Sequence, residues 1–218
     1  MNEQEARYES GNVTVYPEGI QGTGQLELVK SIVESISPYI DHRVHIRYNE
    51  IKKENPSFYS RLNPEYRDEN YHDLITINSN YQYKSELPFY LIHELGHSLE
   101  EKLELIVKGR GAAALPVGID DEYADVYADL IAVYILKPEL LIRLRGMPVG
   151  QNTLLAIQEM FRGNDFVELR NKLDTLSSQE VVPALGSKEE VKVGERLAGL
   201  FERVFVKISE YTGRRQQA

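Results

Sequence analysis

The chain contains no cysteine and no tryptophan, and it has no long apolar run. Without cysteine it can form neither a disulfide framework nor a thiolate metal site, and it has no cysteine nucleophile. The longest apolar stretch, Leu130–Leu136, is far shorter than the roughly 20 residues that span a bilayer. The first residues show no basic region followed by an apolar run, so we expect no secretory signal, no membrane partner and a cytoplasmic protein.

Positive charge is also scarce, because 25 Lys and Arg residues stand against 34 Asp and Glu residues, for a formal net charge of −9. Such a chain repels a phosphate backbone on average, which disfavours direct nucleic-acid binding. The length of 218 residues, with 42% hydrophobic and 27% charged residues, is typical of a globular protein that buries its own core. The sequence does not determine an oligomeric state.

Apolar residues alternate in three short segments and recur at helical spacing in six longer ones. Alternation predicts strands at Val13–Tyr16, 44–48 and 74–77, the first of them at an edge, with a long loop over residues 49–72. Helical spacing predicts helices over residues 24–37, 85–107, 120–136, 153–162, 165–176 and 189–211. This order predicts an α+β fold with a small sheet packed on the helix 85–107 and a mostly helical C-terminal part.

A Gly/Pro-rich segment at Gly146–Gly150 predicts a boundary between a core, residues 1–145, and a helical C-terminal subdomain, residues 146–218. The last predicted helix carries an apolar stripe that consists of Leu197, Leu200, Phe201, Val204, Phe205 and Ile208. A stripe of this width predicts a core-facing helix, with docking of a protein partner as the alternative.

The residues His93-Glu94-Leu95-Gly96-His97 read H-E-x-x-H and lie inside the predicted helix 85–107. One helical turn brings His93 and His97 to the same face about 6 Å apart, so both imidazoles can bind one tetrahedral zinc ion. Glu94 is rotated by about 100° and can hold a water on the metal without itself being a ligand. We therefore predict zinc as cofactor, His93 and His97 as ligands and Glu94 as general base.

Two histidines do not complete a zinc site, so a third ligand is required. The extended H-E-x-x-H-x-x-G-x-x-H pattern is excluded because Glu100 and Leu103 occupy its last two defined positions. We expect a carboxylate from the acidic segment of the next helix, which holds Asp120, Asp121, Glu122, Asp125 and Asp129. Helix capping explains the first three better than Asp125 and Asp129, which lie deeper in the predicted helix. Asp121, Glu122 and Asp125 remain candidates.

The two motifs, over about residues 89–138, resemble the zincin metallopeptidases, and within them the gluzincins, whose second helix reads E-x-x-A-[DN]-x-x-A. The run ADLIAVYILKP at Ala128–Pro138 is similar to the extended second motif of the ImmA/IrrE-type metallopeptidases. That register implies Asp125 as third ligand, with Asp in place of the family's Glu. It also implies that Asp129 accepts a hydrogen bond from a ligating histidine. Glu122 has the family's residue type, but Val126 stands where a carboxylate should follow it.

The resemblance implies a zincin-like fold and a zinc-dependent endopeptidase that acts on a protein or peptide, with a transcriptional repressor as the substrate class of ImmA/IrrE-type enzymes. Zinc would polarise the scissile carbonyl, and Glu94 would pass a water proton to the leaving amine. Tyr71, His72 and Tyr123 are candidates for stabilising the oxyanion.

Two other hypotheses remain open. The first is a zinc-containing regulatory or protein-binding module with little or no hydrolytic activity, and the second is a metal-free pseudoenzyme. His42 and His45 flank or lie in a predicted strand, and we interpret both as structural or surface residues.

Overall fold

The computed structural model describes residues 7–18, 20, 23–49, 57–60, 73–78, 87–110, 125–179, 198–199 and 201–210. Over these ranges the fold is α+β, as predicted, with a mixed sheet in the N-terminal part and helices mostly in the C-terminal part. The chain divides into two compact units: Met1–Ser98 with Val167–Ala184, and Leu99–Phe166 with Leu185–Ala218. The boundary predicted at residue 146 stays a prediction.

The described part of the first unit contains a five-stranded sheet in the order β1-β2-β3-β5-β4. The strands are β1 (Tyr8–Ser10), β2 (Val13–Tyr16), β3 (Val44–Asn49), β4 (Ser57–Ser60) and β5 (Asp73–Asn78). The central strands β2, β3 and β5 are parallel, while β1 and β4 run antiparallel to their neighbours. Alternation along the central strands puts Val13, Val15, Val44, Ile46, Tyr48, Ile75 and Ile77 on one buried face.

Two strand predictions were wrong in part. β2 is not an edge strand, because β1 pairs with it on the side opposite β3. The predicted loop 49–72 contains β4, which pairs with β5, and the rest of that loop lies outside the described residues. Both missed strands have only three or four residues, too few for an alternating pattern to stand out in polar sequence.

The helices follow the predicted order with shifted ends. They are α1 (Thr23–Ile36), α2 (Leu87–His97), α3 (Glu100–Gly109), α4 (Val126–Leu136), α5 (Pro148–Met160), α6 (Val167–Gln179) and the helical residues 201–210, designated α7. Short 3₁₀ segments, Ser37–Tyr39 and Pro138–Gly146, follow α1 and α4. Each contains a proline in its first turn, so Pro38 and Pro138 mark the ends of the preceding helices.

The predicted continuous helix 85–107 is wrong, because Ser98 and Leu99 form a turn between α2 and α3. The carbonyl of Leu99 accepts a hydrogen bond from the Leu103 N–H at 2.9 Å and so starts α3. The buried residues Leu95, Leu99 and Leu103 keep a four-residue spacing across the turn, which is why the apolar pattern did not reveal it.

In the first unit, α2 contacts β4 and β5, and α1 contacts both α2 and α6. The inward face of α1 supplies Val29, Ile32, Val33 and Ile36, all fully buried. These contacts hold the H-E-x-x-H helix between the sheet and α1.

In the second unit, α5 contacts α3 and the 3₁₀ segment Pro138–Gly146. Of the predicted stripe on α7, Phe201, Val204 and Ile208 are buried, which confirms the core interpretation for these residues. Leu197 and Leu200 lie outside the described side chains. Among the helices in the described ranges, none has both the length and the apolar character needed to cross a membrane.

Candidate metal centre

The helix α2 is anchored by its apolar residues. Pro88 lies in its first turn, where the missing N–H of proline costs little. Leu91, Ile92 and Leu95 have no solvent exposure, and burying each such side chain contributes about 1.5–3 kcal/mol relative to leaving it in water. The helix therefore has a fixed rotation about its axis, which sets the directions of its polar residues.

His93 and His97 are half-buried and lie next to each other, one turn apart on α2. Their ring centroids are 4.8 Å apart and the ring planes are 84° apart. The ring of Phe89, one turn earlier, lies 5.8 Å from that of His93. The predicted pairing of the two imidazoles on one helical face is thus present.

Glu94 is only 6% exposed, although it carries an ionisable carboxylate. Burying a carboxylate is costly unless hydrogen bonds or opposite charges compensate it. An apolar side chain would stabilise α2 more simply at this position, so the presence of Glu94 between the two histidines favours a functional reason for it.

Asp125 directly precedes α4, and its carbonyl accepts a hydrogen bond from the Asp129 N–H at 2.8 Å. The prediction that Asp125 lies well inside a helix 120–136 is wrong, since the helix begins at Val126. Asp125 is exposed, and its side chain makes no capping hydrogen bond, so helix capping does not account for the residue. Asp129, in the first turn of α4, is buried, and its predicted hydrogen bond to a histidine ligand stays a prediction.

Within the described residues of the first unit, His93 and His97 are a pair of side chains with the composition and spacing of a metal site. Asp125 belongs to the second unit, and its role as third ligand stays a prediction.

The donor set fits zinc. Two imidazole nitrogens and one carboxylate oxygen are the three protein ligands found in several catalytic zinc sites, which leave a fourth position open. Of this set, the structure shows the two imidazoles next to each other on α2, and the resemblance implies the carboxylate of Asp125.

Six other predicted site residues lie outside the described residues, so their roles stay predictions: Asp120, Asp121 and Glu122, and the three candidates for oxyanion stabilisation, Tyr71, His72 and Tyr123. The two remaining histidines are structural, as predicted. His45 packs its ring against Tyr16, with centroids 5.5 Å apart, and His42 binds the buried Asp73. The partner of His42 was missed because Asp73 is 31 residues away, with no shared motif.

No protein-family model, no curated protein and no solved structure matches this chain. The resemblance to zincins therefore depends on the motif residues, and functional inference depends on the chemistry of the group that they form.

Proposed function

We propose that this protein is a zinc-dependent metallopeptidase, with His93, His97 and Asp125 as zinc ligands and Glu94 as general base. The observation that carries the proposal is the pair of imidazoles one turn apart on α2, with ring centroids 4.8 Å apart, together with the buried Glu94 next to His93 in the same helix. Asp125 is proposed as third ligand from the sequence resemblance. Zincin resemblance adds a reaction class, peptide-bond hydrolysis by an endopeptidase.

Each ligand has a defined structural support. His93 and His97 depend on the fixed rotation of α2, which its buried leucine and isoleucine residues maintain. Asp125 depends on α4, whose residues are buried from Val126 to Ile135. Because the supporting helices are anchored by burial, the backbone positions of the ligands are fixed before a metal binds.

A zinc ion held by these three residues would supply a Lewis acid that polarises the scissile carbonyl and acidifies a water molecule. Glu94 would take the proton from the attacking water and then deliver it to the nitrogen of the leaving amine. Since Glu94 is nearly excluded from solvent, its carboxylate meets little bulk water that could compete for this proton. The two imidazoles would bind the metal through nitrogen lone pairs and would take no part in proton transfer.

The alternative of a zinc-containing regulatory or protein-binding module has two grounds: Asp125 in place of the family's Glu, and a long helical C-terminal part whose apolar stripe would be a docking surface. Phe201, Val204 and Ile208 of that stripe are buried within the second unit. These three residues therefore provide no apolar docking surface, and the peptidase is the better supported function.

The test uses the full chain, purified without chelators. We expect about one zinc per chain by elemental analysis, cleavage of peptides from a diverse fluorogenic library, loss of cleavage with a zinc chelator and recovery when zinc is returned. Stoichiometric zinc without cleavage would favour the regulatory module. Absence of any bound divalent metal, with none taken up on addition, would contradict the proposal.

A further inference from the structure

His42 has carboxylates on both of its ring nitrogens. Its Nε2 lies 2.5 Å from Oδ2 of Asp73, and its Nδ1 lies 3.1 Å from Oδ1 of Asp41. The side chain of Asp73 is 0% exposed, whereas that of Asp41 is 71% exposed. The imidazole therefore offsets the charge of a buried carboxylate at Asp73, whereas water already solvates the exposed carboxylate of Asp41.

These residues lie where three parallel strands begin. Asp73 is the first residue of β5 and pairs with Val44, the first residue of β3. The N–H of Asp73 donates to the carbonyl of Arg43 at 2.9 Å, and the N–H of Val44 donates to the carbonyl of Asn12 at 3.0 Å. The His42 side chain thus adds a second attachment for the residue that starts β5.

The chemistry of imidazole links this attachment to protonation. Ionised carboxylates only accept hydrogen bonds, and an imidazole that donates from both nitrogens is a cation. A neutral imidazole has one N–H and can satisfy one of the two carboxylates. Because Asp41 is exposed, it can turn to water when the proton is lost. The buried Asp73 cannot turn to water, so it would keep a hydrogen bond to the neutral ring but lose the positive charge of His42.

We propose that Asp41, His42 and Asp73 form a protonation-dependent clamp, which fastens the start of β5 to the segment before β3 and loosens as pH rises.

The charges that act on the ring agree with the geometry. The hydrogen bond that the His42 ring donates to Asp73 raises the pKa of His42 above 6.5, and burial of the ring opposes this. The hydrogen bond donated to Asp41 and the charges of both carboxylates raise the pKa further. A histidine whose pKa is higher in the folded than in the unfolded chain stabilises the fold fully below about pH 6.5. That contribution is lost as pH rises through the folded-state pKa.

The clamp can be tested on the full chain by NMR titration of the His42 ring, from about pH 5.5 to about pH 8.5, together with amide hydrogen exchange. We expect a His42 pKa above 6.5 and protection factors at Asp73 and Val44 that fall over the same pH range. Protection factors at Val29 and Ile32 in α1 report any change in global stability and serve as the internal reference, so they should fall less than those at Asp73 and Val44. A His42 pKa at or below 6.5, or constant protection at Asp73, would overturn the proposal.

Two matched variants separate the carboxylates. Asp73→Asn should lower the pKa of His42 more than Asp41→Asn does, and His42→Gln should abolish the pH dependence of protection at residue 73. A larger effect of Asp41→Asn would contradict the assigned asymmetry. If Asp73→Asn does not fold, the wild-type titration and Asp41→Asn still decide the question. None of these readouts uses zinc or peptide cleavage, so the result is independent of the proposed function.

Discussion

The ring planes of His93 and His97 stand at 84° to one another, with their centroids 4.8 Å apart. Rings stacked face to face would direct their nitrogen lone pairs along parallel planes. Crossed rings can direct one nitrogen each toward a common point. The chemistry of this group and the packing that holds it can be tested separately, by substitutions at the site and in the core.

Replacing Glu94 with Gln should abolish cleavage without removing zinc. The amide is nearly isosteric but cannot accept the water proton, and general-base catalysis contributes about 10²–10⁴-fold to rate. We expect bound zinc to remain at the wild-type level while kcat/KM falls by at least about 10²-fold. Glu168→Gln, an exposed site on α6, is the matched control and should change neither quantity. Undiminished cleavage by Glu94→Gln would remove this residue from the mechanism.

Replacing Asp125 with Ala should weaken zinc binding. Loss of a residue that merely supports a ligand costs about 10–100-fold in metal affinity, so loss of the ligand itself should cost about 100-fold or more. Competition titration with a chromophoric chelator measures this, and Asp174→Ala, an exposed position on α6, is the control. Asp125→Glu should retain most of the affinity. If Asp125→Ala binds zinc normally and either Asp121→Ala or Glu122→Ala does not, the residue whose substitution weakens binding is the third ligand.

Leu95→Ala should destabilise the protein by about 2–5 kcal/mol, because the Leu95 side chain on α2 is completely buried. Leu105→Ala makes the same chemical change on α3 at a side chain that is 65% exposed, so its effect should stay within about 0.5 kcal/mol. Urea unfolding with a common m-value measures both free energies. Equal effects would show that the buried face of α2 does not anchor the helix.

Gly150→Ala should also be destabilising. A Cβ at Gly150 would lie 2.9 Å from the carbonyl oxygen and 3.0 Å from the Cβ of Leu144, and overpacking of this kind costs about 1–3 kcal/mol. Gly146→Ala, four residues earlier, meets nothing within 4 Å and should be neutral or slightly stabilising. A difference in melting temperature between these two variants tests the close approach of α5 to the preceding 3₁₀ segment.

The sequence predicted the parts of the fold that depend on local apolar periodicity. Strands β2 and β3 alternate cleanly, β5 is a short apolar run, and α1, α5 and α6 carry regular stripes, so their positions followed from the apolar pattern. The turn at Ser98 and Leu99 could not be predicted, because the leucines on both sides keep the same spacing through it. Strand β1 was missed because three polar or aromatic residues pair with β2 through backbone hydrogen bonds, which leave no mark in the sequence.

The candidate site was predictable to different degrees. His93 and His97 are four residues apart in a helix, so helix geometry alone predicts that they lie close together. Asp125 as third ligand follows from the resemblance, and its place before the first turn of α4 could not be predicted from a uniformly apolar segment. The bond between His42 and Asp73 joins two segments 31 residues apart, and nothing local encodes it.

Helix α4 is buried on all sides from Val126 to Ile135. A helix of this kind has no exposed face, so every substitution in it changes packing. It also cannot rotate about its axis without displacing the side chains packed around it. The position of Asp125, directly before this helix, is therefore set by the buried residues of α4. Changes made deep in α4, such as Ile131→Val, should alter metal affinity although they touch no ligand.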